Sequence, residues 1–250
     1  MKIIISPAKR MEECQDLFAP GAYPELLEQT KLLYEALKAM EEGELGKLFR
    51  ANAQITRQNY LRYQEMCLER AATPALLSYV GIQFQSMAPK VFSYEQWEYV
   101  KTHLRILSGF YGILRPDDRI TPYRLEMQAR LSMNSKKDLY DFWGDSLCRA
   151  LLRDESAGSR VIVNLASKEY SRSIEPYLSE DTRFVTCVFG TTDGNRVKMK
   201  ASAAKIARGT MVRYMAGKQI EDVEEIKHFS ELGYRFSRER STENCFVYLL

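Results

Sequence analysis

Apolar residues along this chain fall into two rhythms. Ile3 to Ile5 and Val161 to Leu165 are short, nearly unbroken apolar runs, the pattern of strands buried in a parallel sheet. Leu26, Leu33, Leu37 and Met40 instead follow helical spacing up to Gly43, with Pro24 placed for a first helical turn. The segment from about residue 45 to 70 predicts more helix with charges mixed in, and Pro74 opens another short one. Ser93 and Gln96 have capping-box spacing, and Trp97, Val100, Leu104 and Leu107 form an apolar stripe on the helix they start. Residues 137–152 predict a helix with Leu139, Phe142, Trp143 and Leu147 apolar. Residues 184–189 and 196–200 predict strands joined by a hairpin loop over Gly190 to Asn195, Ala201 to Ala216 a helix, and 246–250 a strand closing the sheet.

Strands alternating with helices, without repeats or a linker, predict one α/β domain over residues 1–250, with a mixed β-sheet and large helical insertions. One stretch is read differently. From Leu104 to Pro116 a helix-like run ends in Ser108-Gly109, followed by Phe110-Tyr111, Gly112 and Ile113-Leu114, which reads as two helices joined by a tight hairpin. Glycines there permit positive φ and close backbone approach, and exposed N–H groups at a helix start offer an anion site. An ordinary structural corner is the alternative.

Composition narrows the function class. With 45% hydrophobic and 28% charged residues the chain matches a soluble globular protein. No apolar run approaches the ~18 residues needed to span a bilayer, and the three apolar residues near the start do not make a signal peptide. Cys14, Cys67, Cys148, Cys187 and Cys245 are scattered and never spaced C-x-x-C. That predicts reduced thiols in the cytoplasm, and argues against disulfides, a cysteine zinc site and thiol-based peroxide chemistry. His103 and His228 are the only histidines, so no metal site and no cofactor is predicted.

Net charge is only +3, but it is unevenly spread. Between Gly194 and Ile220 there are seven basic residues and no acidic one: Arg196, Lys198, Lys200, Lys205, Arg208, Arg213 and Lys218. Such a one-sign field attracts polyanions, unless it is only a solvated face balanced by the acids from Glu221 to Glu225. Two strand ends also carry small polar groups, Ser6-Pro7-Ala8-Lys9 and Asn164 through Tyr170. If these strands are parallel neighbours, Ser6, Lys9, Asn164, Ser167 and Tyr170 line one cleft as candidate catalytic residues. Lys9 is then a point charge for phosphate, or a nucleophile if burial depresses its pKa; Ser167 is otherwise a helix cap. Ser6-x-x-Lys9 matches the β-lactamase string, but its companion motifs are absent.

Several blocks together resemble the YaaA family of bacterial peroxide-stress proteins. They are Ile5 to Lys9, His103 to Pro116, Pro122 to Met127, Lys137 to Asp145, Asn164 to Tyr170 and Ala207-Arg208-Gly209, in the family's order. The resemblance implies a cytoplasmic role against hydrogen peroxide through limiting free iron and oxidative DNA damage. It implies a helix-hairpin-helix element, a positive cleft and binding of duplex or branched DNA without sequence specificity. By that resemblance Gly109, Tyr111, Gly112, Arg115, Arg124, Lys205, Arg208 and Arg213 form the DNA-binding set. The alternative function is an enzyme acting on a nucleotide, a nucleobase or damaged DNA in the Ser6/Lys9/Asn164 cleft. One departure stands out: Gly81-Ile82-Gln83-Phe84 lies where the family carries Gly-Asp-Val-Tyr, removing an acid and a phenol.

Overall fold

Three consecutive isoleucines set the centre of the molecule. Ile3, Ile4 and Ile5 have no exposed surface, and with Lys2 they form strand β1 (Lys2–Ile5) of a computed structural model that describes residues 1–14, 17–153, 160–194 and 196–250. A strand with both faces apolar can only sit inside a sheet that is covered on both sides. The remaining strands of that sheet are β2 (Leu104–Ser108), β3 (Gly112–Leu114), β4 (Val161–Leu165), β5 (Arg183–Asp193), β6 (Arg196–Lys198), β7 (Arg235–Phe236) and β8 (Cys245–Leu249). Their spatial order is β7-β8-β5-β4-β1-β2-β3, with β6 paired to the far end of β5. The five middle strands run parallel, and β7 and β3 pair antiparallel at the edges. After β1 the chain moves one way to β2 and later the other way to β4, β5 and β8, so the strand order reverses between β1 and β4.

The main helices are α1 (Leu27–Lys38), α2 (Glu42–Phe49), α3 (Ala53–Glu65), α4 (Ile82–Met87), α5 (Tyr94–His103), α6 (Leu139–Trp143), α7 (Ser146–Leu152) and α8 (Ala201–Lys218). The Ser93 capping box forms as the spacing predicts, with Ser93 Oγ accepting from Gln96 N and Gln96 accepting from Ser93 N. Two predicted helices are broken by local chemistry. Arg50 adopts φ 47° and ends α2, after which Asn52 caps α3 through Ile55 N. Gly144 at φ +50° separates α6 from α7. β5 also runs on to Asp193 through the predicted hairpin loop, whose Asn195 lies outside the described residues. β8 does not close the sheet, because β7 covers its outer edge.

The stretch from Leu104 to Pro116 is a β-hairpin, not a helix-hairpin-helix. Helix α5 stops at His103, and β2 pairs with β3 through Ile106–Leu114, Leu107–Ile113 and Ser108–Gly112. Leu104 and Leu107 do keep helical spacing with Trp97 and Val100, but Leu104, Ile106 and Leu107 are fully buried beside β1, so pairing overrides the helical rhythm. The glycines serve packing. A Cβ on Gly109 would stand 2.5 Å from the Leu125 carbonyl oxygen, and Gly112 turns at φ +76° against Leu147 and Trp143. Ser108 Oγ accepts the N–H groups of Phe110 and Tyr111, and Trp143 Nε1 donates to the Gly109 carbonyl at 3.1 Å. Gly109, Tyr111 and Gly112 are buried, so they offer no backbone to a phosphate.

Helix α8 packs backbone to backbone on α4. A Cβ on Gly209 would lie 2.0 Å from the Gln83 carbonyl oxygen, a distance no rotamer change relieves. Gly209→Ala is therefore expected to destabilise the fold by about 1–3 kcal/mol, read as a shift in the denaturant midpoint. Gly43, in α2 with nothing within 4 Å of its missing Cβ, is the contrast: Gly43→Ala should stabilise by up to about 1 kcal/mol. Equal shifts in the two variants would contradict this account of the α4–α8 contact.

Candidate functional site

Strands β1 and β4 are parallel neighbours in the register Ile4–Asn164 and Ile5–Leu165, so the residues after them emerge side by side. Ser6 Oγ donates to Ser167 Oγ at 3.1 Å and accepts from Ser167 N at 2.8 Å. The Ser167 hydroxyl thus faces Ser6 and makes no side-chain cap on the short helix Lys168–Ser171. Asn164 is buried one layer behind. Its Oδ1 accepts from Ala166 N at 3.0 Å and its Nδ2 donates to Thr186 Oγ1 at 3.2 Å, so it shapes the turn and does not border the cavity that opens at these strand ends.

The crevice between these strand ends widens into a cavity of about 400 Å³. Ser6, Lys9, Arg10 and Ser167 form one side, α4 with Gln83 and Phe84 another, and the segment Tyr123 to Glu126 a third. Lys205 and Arg208 of α8 project from above, and Glu169 and Tyr170 close the end. Five cations thus face two carboxylates. Glu126, only 9% exposed, gathers part of this charge: its Oε1 lies 3.1 Å from Lys9 Nζ and 3.0 Å from Arg124 Nη2. Lys205 and Arg208 have no acidic partner among the described residues. Burial lowers the Arg208 pKa, and raises that of Glu169 despite the N–H of Gln128 and the nearby Lys9. Burial also drives the Tyr170 phenol well above its ordinary value, so it stays a neutral hydroxyl. Beneath the cavity, Ser108 Oγ, Tyr123 OH and Tyr79 OH form a buried hydrogen-bonded chain with steps of 2.6 and 2.8 Å.

Four polar side-chain atoms around this cavity are buried and without a hydrogen-bond partner: Gln83 Nε2, Arg124 Nε, Glu126 Oε2 and Arg208 Nε. Leaving one such atom unsatisfied costs on the order of 1–3 kcal/mol, so four of them in residues that border one cavity single it out as a candidate site. A larger groove of about 910 Å³ adjoins the cavity through Lys9, Arg10 and Arg124 and runs past Arg62 and Arg70.

Of the sequence-predicted residues, the fold brings together Ser6, Lys9, Ser167, Tyr170, Arg124, Lys205 and Arg208. Others fall elsewhere. Arg115 borders a separate depression with Arg105 and Asp118. Arg213 lines a third hollow with Lys218, because five residues along α8 from Arg208 turn the side chain by about 140°. Lys9 is two-thirds exposed and pairs with Glu126, so it is not a buried amine. Sequence reading missed Gln83 and Glu126. Glu126 carries no spacing signal, and Gln83 sits in the departure Gly81-Ile82-Gln83-Phe84, all four residues of which border the cavity, Ile82 as an exposed apolar side chain and Gln83 as a buried polar one.

Fold and site define an α/β protein with a cationic cleft at the point where strand order reverses, the position where ligands usually bind in such sheets. Residues 1–240 match the sequence pattern of the family described as peroxide stress protein YaaA, and the chain belongs to that family. It is 47% identical to a UPF0246 protein of Desulfitobacterium hafniense over 249 residues, covering 100% of this chain and 98% of that protein. A UPF0246 protein of Lachnoclostridium phytofermentans is 47% identical over 249 residues, 96% of its length, and one of Pediococcus pentosaceus 43% identical, 98% of its length. Among the described residues no helix is long and apolar enough to cross a membrane.

The depression beside Arg115 carries a pH signature. Burial raises the Asp118 carboxyl to about 7, against the opposing pull of the Arg115 N–H, which donates to its Oδ2 at 2.8 Å, and of the Arg115 and Arg105 charges. An unfolded aspartate titrates near ~3.9, so between about pH 4 and 7 the folded state holds a proton that the unfolded state has lost. Stability therefore falls as pH rises through that window, by at most roughly 1.4 kcal/mol per pH unit from this group. Asp118→Asn is expected to flatten that fall in denaturant midpoints measured from pH 5 to 7. An undiminished slope in the variant would contradict the assignment.

Proposed function

We propose that the protein acts in peroxide-stress defence by binding nucleic acid in the cleft between β1 and β4. The observation that carries this reading is the pair Lys205 and Arg208, cations with no acidic partner among the described residues, set over a cavity with unsatisfied polar atoms. Phosphates answer that pair. The adjoining groove offers length for a strand and sets Arg62 and Arg70 along it, although Glu12, Glu13 and Glu65 also line it and Arg10 pairs with Glu12. Gly109, Tyr111 and Gly112 have no part in the contact, and Arg115 and Arg213 lie outside it. The positive cleft replaces the helical hairpin as the DNA-binding element.

A second reading has one observation in its favour. Lys9 is accessible, and its ammonium lies 3.1 Å from the Glu126 carboxylate, a proton acceptor through which the amine is freed as a nucleophile. On an abasic site, the Lys9 nitrogen would add to the C1′ aldehyde and expel water as an imine, with Glu126 taking the amine proton. The Ser-x-x-Lys chemistry lacks comparable support, because Ser6 is held by Ser167 while Lys9 turns to Glu126.

Binding to a fluorescent duplex should weaken steeply with salt, with each phosphate contact adding about 0.9 to the slope of log K against log salt. Lys205→Glu with Arg208→Glu should weaken binding roughly tenfold or more at low salt and flatten that slope, whereas Arg213→Glu should do neither. Unchanged affinity in the double variant would overturn the reading. For the second reading, borohydride should trap the wild-type protein on abasic DNA and fail to trap Lys9→Ala; no adduct with wild type rules it out.

A further inference from the structure

We propose that the cavity receives one unstacked nucleobase and that Gln83 and Glu126 read its edge. The inference rests on the nucleic-acid reading of the cleft and adds what phosphate binding does not explain. Phosphate oxygens only accept hydrogen bonds, so they satisfy Lys205, Arg208 and the Arg124 N–H. They do not satisfy Glu126 Oε2, a carboxylate oxygen that requires a donor. Glu126 is 9% exposed and Gln83 7% exposed; both residues border this cavity and each has one unpartnered polar atom just beneath its surface, which a base meets once the side chain turns toward it. The ligand part that enters there must offer an N–H or O–H to Glu126 and an acceptor to the Gln83 amide. Every nucleobase presents a donor beside an acceptor on its pairing edge.

The walls agree with such a ligand. Phe84, Tyr123 and Tyr170 border the cavity and give part of its wall the apolar, aromatic character that suits a planar ring. Tyr123 is held in place by the buried chain through Ser108 and Tyr79, so its ring is preset. A volume of about 400 Å³ lies within the span of small-molecule sites, about 300–1,000 Å³, and is far too small for a duplex. Paired bases have their edges occupied, so the cavity selects a nucleotide already unpaired or easily extruded. The groove past Arg10 and Arg62 then holds the flanking backbone.

The test uses the full chain and duplexes that differ at one position: fully paired, carrying one bulged A, C, G or T, or carrying an abasic site in a bulge. Wild type should bind at least one bulged base about tenfold or more tightly than the abasic bulge, which keeps the sugar and phosphate but lacks the edge. Gln83→Leu and Glu126→Gln, tested separately so that neither result depends on the folding of the other, should each bring that ratio close to one. Equal binding of all duplexes by wild type overturns this inference while leaving phosphate binding in the cleft intact. A ratio unchanged in both variants overturns the assignment of the reading residues. Absence of binding to every duplex overturns the cleft reading together with this one.

Discussion

The pairing of β1 between β2 and β4 is the constraint on which the rest depends. Four residues at the chain start are inserted into the middle of a sheet whose other strands begin at residue 104 and later. Because Ile3 to Ile5 are buried on both faces, the register cannot slip without exposing them or burying Ser6. That register delivers Ser6 to Ser167 within hydrogen-bond distance across 161 residues of sequence. It also puts the reversal of strand order, and so the opening for a ligand, at that spot.

The cleft is held open by compensation elsewhere. Helix α8 reaches over it because Gly209 lets two backbones touch, and this brings Lys205 and Arg208 to the same cavity as Gln83. The segment Tyr123 to Glu126 is pinned from below by the Tyr79–Tyr123–Ser108 chain and by Tyr63, whose hydroxyl donates to the Arg124 carbonyl at 2.8 Å. These partners are buried and neutral, and burial drives the Tyr63 and Tyr79 phenols well above their ordinary range. A satisfied polar floor therefore lies under a cavity whose bordering residues include several polar atoms without partners.

Legibility in the sequence followed the range of the forces involved. The capping box at Ser93, the apolar runs of β1 and β4 and the long helix α8 are local signals, and each was readable. So was the meeting of Ser6, Lys9, Ser167 and Tyr170, since it required only that two apolar strands be parallel neighbours. The hairpin from Leu104 was misread because its apolar residues satisfy a helical period and a strand equally, and only β1 alongside decides between them. Its glycines suggested ligand approach, yet they accommodate Leu125, Leu147 and Trp143. The resemblance groups Arg115 and Arg213 with the other cations, whereas the turn after β3 and the pitch of α8 point them elsewhere.

The sequence by itself determined the class of fold, the family and the two strand ends that flank the cleft, because apolar periodicity and contiguous motifs are written along the chain. Only the tertiary structure decided that the glycine-bearing stretch is a buried β-hairpin, and which of the basic residues share one cavity. Only it showed Gln83 and Glu126 among the four residues there that hold unpartnered polar atoms. Whether a polar atom finds a partner depends on residues far apart in sequence and on water being excluded between them, and neither leaves a mark in local pattern.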